Sequence, residues 1–129
     1  MNIGEAAAAS AVSAKMIRHY EALGLLPKVP RSESGYRQYD DATLHTLRFI
    51  RRARDLGFSI KEIETLLGLW RNRRRASADV KRFALAHVDD LQRRIDEMQS
   101  MQRTLAHLAH CCRGDARPDC PILDDLARA

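Results

Sequence analysis

Apolar residues recur every three or four positions through most of the chain, and the places where that rhythm stops divide it into helices and connections. Asn2 followed by Glu5 has the spacing of a capping pair, so "IGEAAAA" predicts a short first helix. "SAVS" breaks it, and Ser13 can cap a second helix, "AKMIRHYEAL", which Gly24 ends. Ile3, Ala7, Val12, Ile17 and Leu23 are the apolar positions expected to form a small core between the two. Two short helices across a tight turn make a helix-turn-helix.

Periodicity then lapses in "LLPKVPRSESGYRQYD", where two prolines mark extended chain and "SESG" supplies turn residues for a hairpin. Such a hairpin after a helix-turn-helix is a wing. Asp40 and Asp41 open the next helix, "ATLHTLRFIRRARDLG", with Leu44, Leu47, Ile50 and Leu56 as its apolar face and Gly57 as its stop. Ser59 with Glu62 predicts a capping box for "IKEIETLLGLW", and "RNRRRAS" ends that helix.

From about Ser77 to Ala109 no Gly or Pro interrupts a single long helix. Ala84, Val88, Leu91, Ile95, Met98, Gln102 and Leu105 follow one another in alternating steps of four and three, a heptad seam broken only by Gln102. The upstream helices are too short to cover roughly 50 Å of helix. The seam therefore predicts a coiled coil with a second copy, in which Val88, Leu91, Ile95, Met98 and Leu105 are the dimerisation residues. A helix packed on its own domain is the alternative. Gly114, Pro118 and Pro121 forbid further long helix, and "PILDDLA" predicts a short last one with Pro121 at its first position. The expected organisation is a DNA-binding head over residues 1–75, a dimerisation helix over 76–110 and a loop with a short helix over 111–129.

Composition supports an assembly of slender helices. Aromatic residues are only 5% and charged residues 30% of 129 positions, so a monomer would bury little. The charge is uneven. Residues 1–75 carry 14 Lys and Arg against 8 Asp and Glu, whereas residues 76–129 carry 8 against 9. A basic front half suits a polyanionic partner, although a solvated Arg-rich surface has the same composition. The sequence presents neither a basic n-region with an apolar h-region nor an apolar run of about 18 residues. The expectation is a cytoplasmic protein without a membrane partner, with its thiols reduced.

On the second helix Lys15, Arg18 and His19 share one face, a cationic surface on an element short enough for a major groove. Arg31 and Arg37 flank the wing turn, with Tyr36 and Tyr39 interleaved, and guanidinium and phenol groups both serve phosphate contacts. Arg51, Arg52 and Arg54 add a cationic stretch that a solvated helix face explains equally well. No paired carboxylates, nucleophile–base set or phosphate loop is visible, so an enzyme is not expected.

All three cysteines fall in "HCCRGDARPDCP". Seven residues, including Gly114 and Pro118, separate Cys112 from Cys120, enough to fold two sulfurs toward each other. A redox C-x-x-C pair is absent. Tetrahedral zinc needs about four ligands. His107, His110, Cys111, Cys112 and Cys120 nominally supply them, but His107 and Cys111 share a helical face that His110 and Cys112 do not join. Cys111 reads as an inert free thiol. Two thiolates from Cys112 and Cys120 fit a soft monovalent ion, Cu(I), with Ag(I) and Au(I) equally admissible. Pro121 sets Cys120 at the start of the last helix, whose dipole favours the residual negative charge, and Ile122 and Leu123 can exclude water.

"NIGEAAAASAVSAKMIRHYEALGLLPKVPRSESGYRQYD", "LGFSIKEIETLL", "SADVK" and "C.GD...DCPIL" together resemble MerR-type transcriptional regulators, and the tail resembles their copper-efflux subgroup. The likeness runs over almost the whole chain. It implies a mainly α fold: a winged helix-turn-helix head, a long helix in an antiparallel dimeric coiled coil, and a C-terminal metal loop. Arg18, Tyr20, Tyr36 and Arg37 would then contact DNA. Ser77 would open the dimerisation helix near the partner's metal loop, where members sensing divalent ions carry a cysteine; a plain helix N-cap explains Ser77 as well. The resemblance further implies a homodimer on double-stranded promoter DNA that activates copper-efflux or detoxification genes by distorting the promoter for RNA polymerase. A zinc or redox sensor on the same scaffold, and a metal-storage or chaperone protein that binds no DNA, are the alternatives.

Overall fold

A computed structural model describes residues 1–128. Among the described residues six helices follow one another: α1 (Ile3–Ser10), α2 (Ala14–Ala22), α3 (Asp41–Asp55), α4 (Ile60–Arg71), α5 (Ser77–Cys111) and α6 (Pro121–Leu126). Each short helix starts where a side chain satisfies backbone amides that the helix itself leaves open. Asn2 and Glu5 close a reciprocal capping box on α1, and Ser59 and Glu62 do the same on α4. Ser13 accepts from the Met16 amide to start α2. Asp40 accepts from both the amide and the hydroxyl of Thr43 at 2.9 Å to start α3. Those two donors hold the Asp40 carboxyl below the ordinary aspartate range.

The chain forms two compact units, Met1–Val80 and the remainder from Lys81 onward. Within the first, α1 packs on both α2 and α3, and α3 packs on α4. The core that results draws on Ala6, Ile17, Leu47, Ile50, Ile63 and Leu67, with Tyr39 closing it from the wing side. Four expected core positions differ. Ala6 and Ser10 turn inward where Ala7 was expected, and Ala7 and Ile3 are half-buried. Leu23 and Leu56 are 43% and 48% exposed, because each is a C-cap residue where the helical phase ends. Leu25 and Leu26 replace the first, and Ala53 replaces the second.

The wing is a tight hairpin whose pairing is a single antiparallel bridge between Arg31 and Arg37. Ser32 donates its amide to the Tyr36 carbonyl at 2.7 Å, and Gly35 takes the turn at φ +83°, a conformation that a side chain would strain. The end of the wing is tied to the start of the chain. The Tyr39 amide donates to the Met1 carbonyl at 2.7 Å, and the Met1 amine donates to the Tyr39 carbonyl at 2.9 Å.

α5 runs unbroken for 35 residues, about 50 Å of helix, all but its first turn in the second unit. Leu91 on its expected seam is half-buried, while Val88, Ile95, Met98 and Leu105 are exposed, Met98 by 66%. Beyond Cys111 the chain turns through Gly114, at φ +66°, into the six-residue α6. Among the described residues, no helix is long and apolar enough to cross a membrane.

Candidate nucleic-acid interface and thiol loop

The helix-turn-helix and wing bring four of the predicted residues to one place. Arg18 from α2 and Arg31, Tyr36 and Arg37 from the wing line a shallow recess of about 230 Å³, floored by Asn2 and Ile3 at the start of α1. Tyr36 stands 72% exposed at the wing tip, and Arg31 donates to the Gly35 carbonyl at 3.1 Å, bracing the turn it flanks. Lys15, Arg18 and His19 are exposed together along α2, as i, i+3 and i+4 residues must be. Lys15 does not line the recess. Tyr20 lies in the core instead, 5% exposed, with its ring centroid 6.0 Å from that of His19.

Glu21 is a member of this surface that the sequence reading passed over. Its carboxylate accepts from Arg37 Nε, 3.0 Å away, and from the Tyr39 hydroxyl at 3.3 Å. Burial first, and then the Glu21 charge, push the Tyr39 hydroxyl above the ordinary tyrosine range, so it stays a donor. The signal was present: one carboxylate one turn beyond Arg18 on an otherwise cationic helix. A lone acid there repels a polyanion unless a fixed cation answers it, and Arg37 does so.

In the second unit, the last turn of α5 and the start of α6 carry the thiols. The Cys112 amide donates to the carbonyls of Leu108 and Ala109, so Cys112 remains tied to the end of α5. Cys120 is the N-cap residue of α6, makes no side-chain cap bond, and accepts at its carbonyl from the Asp124 amide. Between them the Arg117 amide donates to Asp115 at 2.9 Å, shaping the turn. Cys112 and Cys120 are half-buried and Cys111 is exposed, all as free thiols. Cys111 Sγ lies 3.8 Å from His107 Nε2. Among the described residues, no group of three or more His, Cys, Asp and Glu side chains is gathered as a metal site. Ser77 is the first residue of α5 and is exposed, inside the helix rather than one place before it.

A winged helix-turn-helix with a cationic recognition face, followed by a long helix with an exposed apolar seam, defines a DNA-binding transcription regulator rather than an enzyme. Residues 1–69 match the family described as MerR HTH family regulatory protein, and residues 44–108 match that described as MerR, DNA binding. The chain belongs to the MerR family. It is 59% identical to heavy metal-dependent transcription regulator 2 of Rhizobium meliloti (strain 1021), over 98% of this chain and 86% of that one. It is 42% identical to the transcriptional regulator CueR of Escherichia coli O157:H7, over 98% and 94% of the two chains. Among solved structures, it is similar to the transcription regulator PbrR691 of Ralstonia metallidurans CH34 in complex with lead(II): TM-score 0.85, 33% identity, covering 98% and 99%.

Proposed function

We propose that the protein is a homodimeric, heavy-metal-responsive activator that senses Cu(I), or the chemically similar Ag(I) or Au(I), through Cys112 and Cys120. The observation that carries this reading is the donor set: two half-buried free thiols, Cys112 directly after α5 and Cys120 at the N-cap of α6. Its relatives add support at a coarser level, since the names of two are tied to metals: a heavy metal-dependent regulator and a regulator in complex with lead(II). The greater identity to the heavy metal-dependent regulator than to CueR leaves the choice of ion to the donor chemistry. Two thiolates and a monovalent cation keep one net negative charge, whereas zinc favours four ligands. The serine at position 77, in place of a further thiolate, agrees with a site of that low charge.

A bound monovalent ion would cancel one thiolate charge and join the end of α5 to the start of α6. The remaining steps belong to the chain. Lys15, Arg18, Arg31, Tyr36 and Arg37 hold promoter DNA through phosphate and groove contacts, Glu21 fixes Arg37, and the buried Tyr20 positions α2. Val88, Leu91, Ile95, Met98 and Leu105 of two copies cover one another, so that two heads reach two half-sites. Metal and a distorted promoter each favour the same arrangement of the dimer, and RNA polymerase engages that promoter.

The test is Cu(I) affinity measured by competition with a chromogenic Cu(I) chelator. Cys112→Ser and Cys120→Ser each lose high-affinity Cu(I) binding while operator binding persists; retained affinity in either variant would refute the two-thiolate site.

A further inference from the structure

His107 and Cys111 lie one turn apart on the last stretch of α5, both exposed, with Sγ and Nε2 facing each other at 3.8 Å. That separation is close to the bite of a shared metal. With a metal–sulfur bond of about 2.3 Å and a metal–nitrogen bond of about 2.0–2.1 Å, a tetrahedral ion holds its two donors about 3.6 Å apart. The helix sets this distance through the i, i+4 register, so neither donor has to be brought in from elsewhere in the fold. Cys111 also borders a recess of about 290 Å³ walled by Arg113, Asp115, Arg117 and Asp119, which leaves room beside the sulfur for water ligands.

We propose that His107 and Cys111 form an open nitrogen–sulfur site for a borderline divalent cation of the zinc type, separate from Cys112 and Cys120. The mixed donor pair distinguishes it from the two-sulfur site. Imidazole with one thiolate suits a borderline ion, whereas two thiolates select a soft monovalent one. Having only two protein donors, it is an exchange site that keeps solvent ligands, and it contributes nothing to holding the fold. A plain S–H···N hydrogen bond between the two side chains is the competing explanation of the contact.

The experiment uses the full-length chain carrying Cys112→Ser and Cys120→Ser together, so its outcome does not depend on the Cu(I) reading. It is titrated anaerobically with Co(II) as the zinc probe. A thiolate-to-Co(II) charge-transfer band in the near ultraviolet grows to one equivalent per chain. Adding Cys111→Ser abolishes it, and adding His107→Gln weakens Co(II) binding by at least about tenfold, the scale on which even supporting groups of metal sites act. Zn(II) displaces the Co(II) and bleaches the band. A titration with no charge-transfer band, or an affinity indifferent to His107→Gln, overturns the site and leaves the hydrogen bond as the whole explanation.

Discussion

Arg37 and Arg18 border one recess but are held differently, and the difference decides what each can do. Arg37 is clamped by Glu21, which also takes the Tyr39 hydroxyl, so its remaining donors are fixed before any ligand arrives. Arg18 lies exposed on α2, where its charge is open to a polyanion. Arg18→Ala is therefore expected to weaken operator binding alike in the metal-free and metal-loaded protein. It should also lower the slope of log affinity against log salt by about one. Fluorescence anisotropy across a salt series measures both, and an unchanged slope would remove Arg18 from the interface. The residue types of this surface were legible because Lys15, Arg18, Arg31 and Arg37 announce themselves by charge and spacing. Their partners were not. Glu21 meets Arg37 across 16 positions and Tyr39 across 18, a proximity that the turn of the wing creates and no local pattern encodes. Tyr20 illustrates the same limit, since a tyrosine one position past an exposed histidine turns into the core.

Helix starts were readable from sequence because caps are local, one side chain and one amide three residues on. The pairs Asn2 with Glu5 and Ser59 with Glu62 form as their spacing predicts. Helix ends were less readable: the 3.6-residue phase stops applying there, which is why Leu23 and Leu56 face outward and Leu25, Leu26 and Ala53 fill the core. The cap of α3 has a consequence in acid. Hydrogen bonds from Thr43 depress the Asp40 carboxyl, so folding favours its ionised form. That stabilisation is complete above the carboxyl's unfolded pKa and disappears as the pH falls through its lower, folded value. Asn caps a helix as well as Asp but has no charge to lose. Thermal melts taken from neutral pH into the carboxylate range should show a smaller acid loss in Asp40→Asn than in the wild type. Equal losses would mean that the Asp40 charge is not what holds the start of α3.

The long helix exposes an apolar seam at the spacing of a coiled coil, with Ile95 48% and Leu105 53% exposed, and the proposed second copy would repeat that spacing and cover it. The sequence made both the seam and the head legible, because heptads, caps and charge are periodic or local. The half-buried placement of Cys112 and Cys120 depends on how the end of α5 turns into α6, which only the fold supplies. In the proposed function, two thiols at Cys112 and Cys120 convert the binding of a soft monovalent ion into a change in how the dimer holds its promoter. In vitro transcription from the protein's own promoter, with purified polymerase and buffered free metal, tests it most directly. Transcription should rise with Cu(I) and Ag(I), stay flat with Zn(II), and fail to respond to Cu(I) in Cys112→Ser. Equal activation by Zn(II), or a Cu(I) response that survives Cys112→Ser, would refute the two-thiolate sensor.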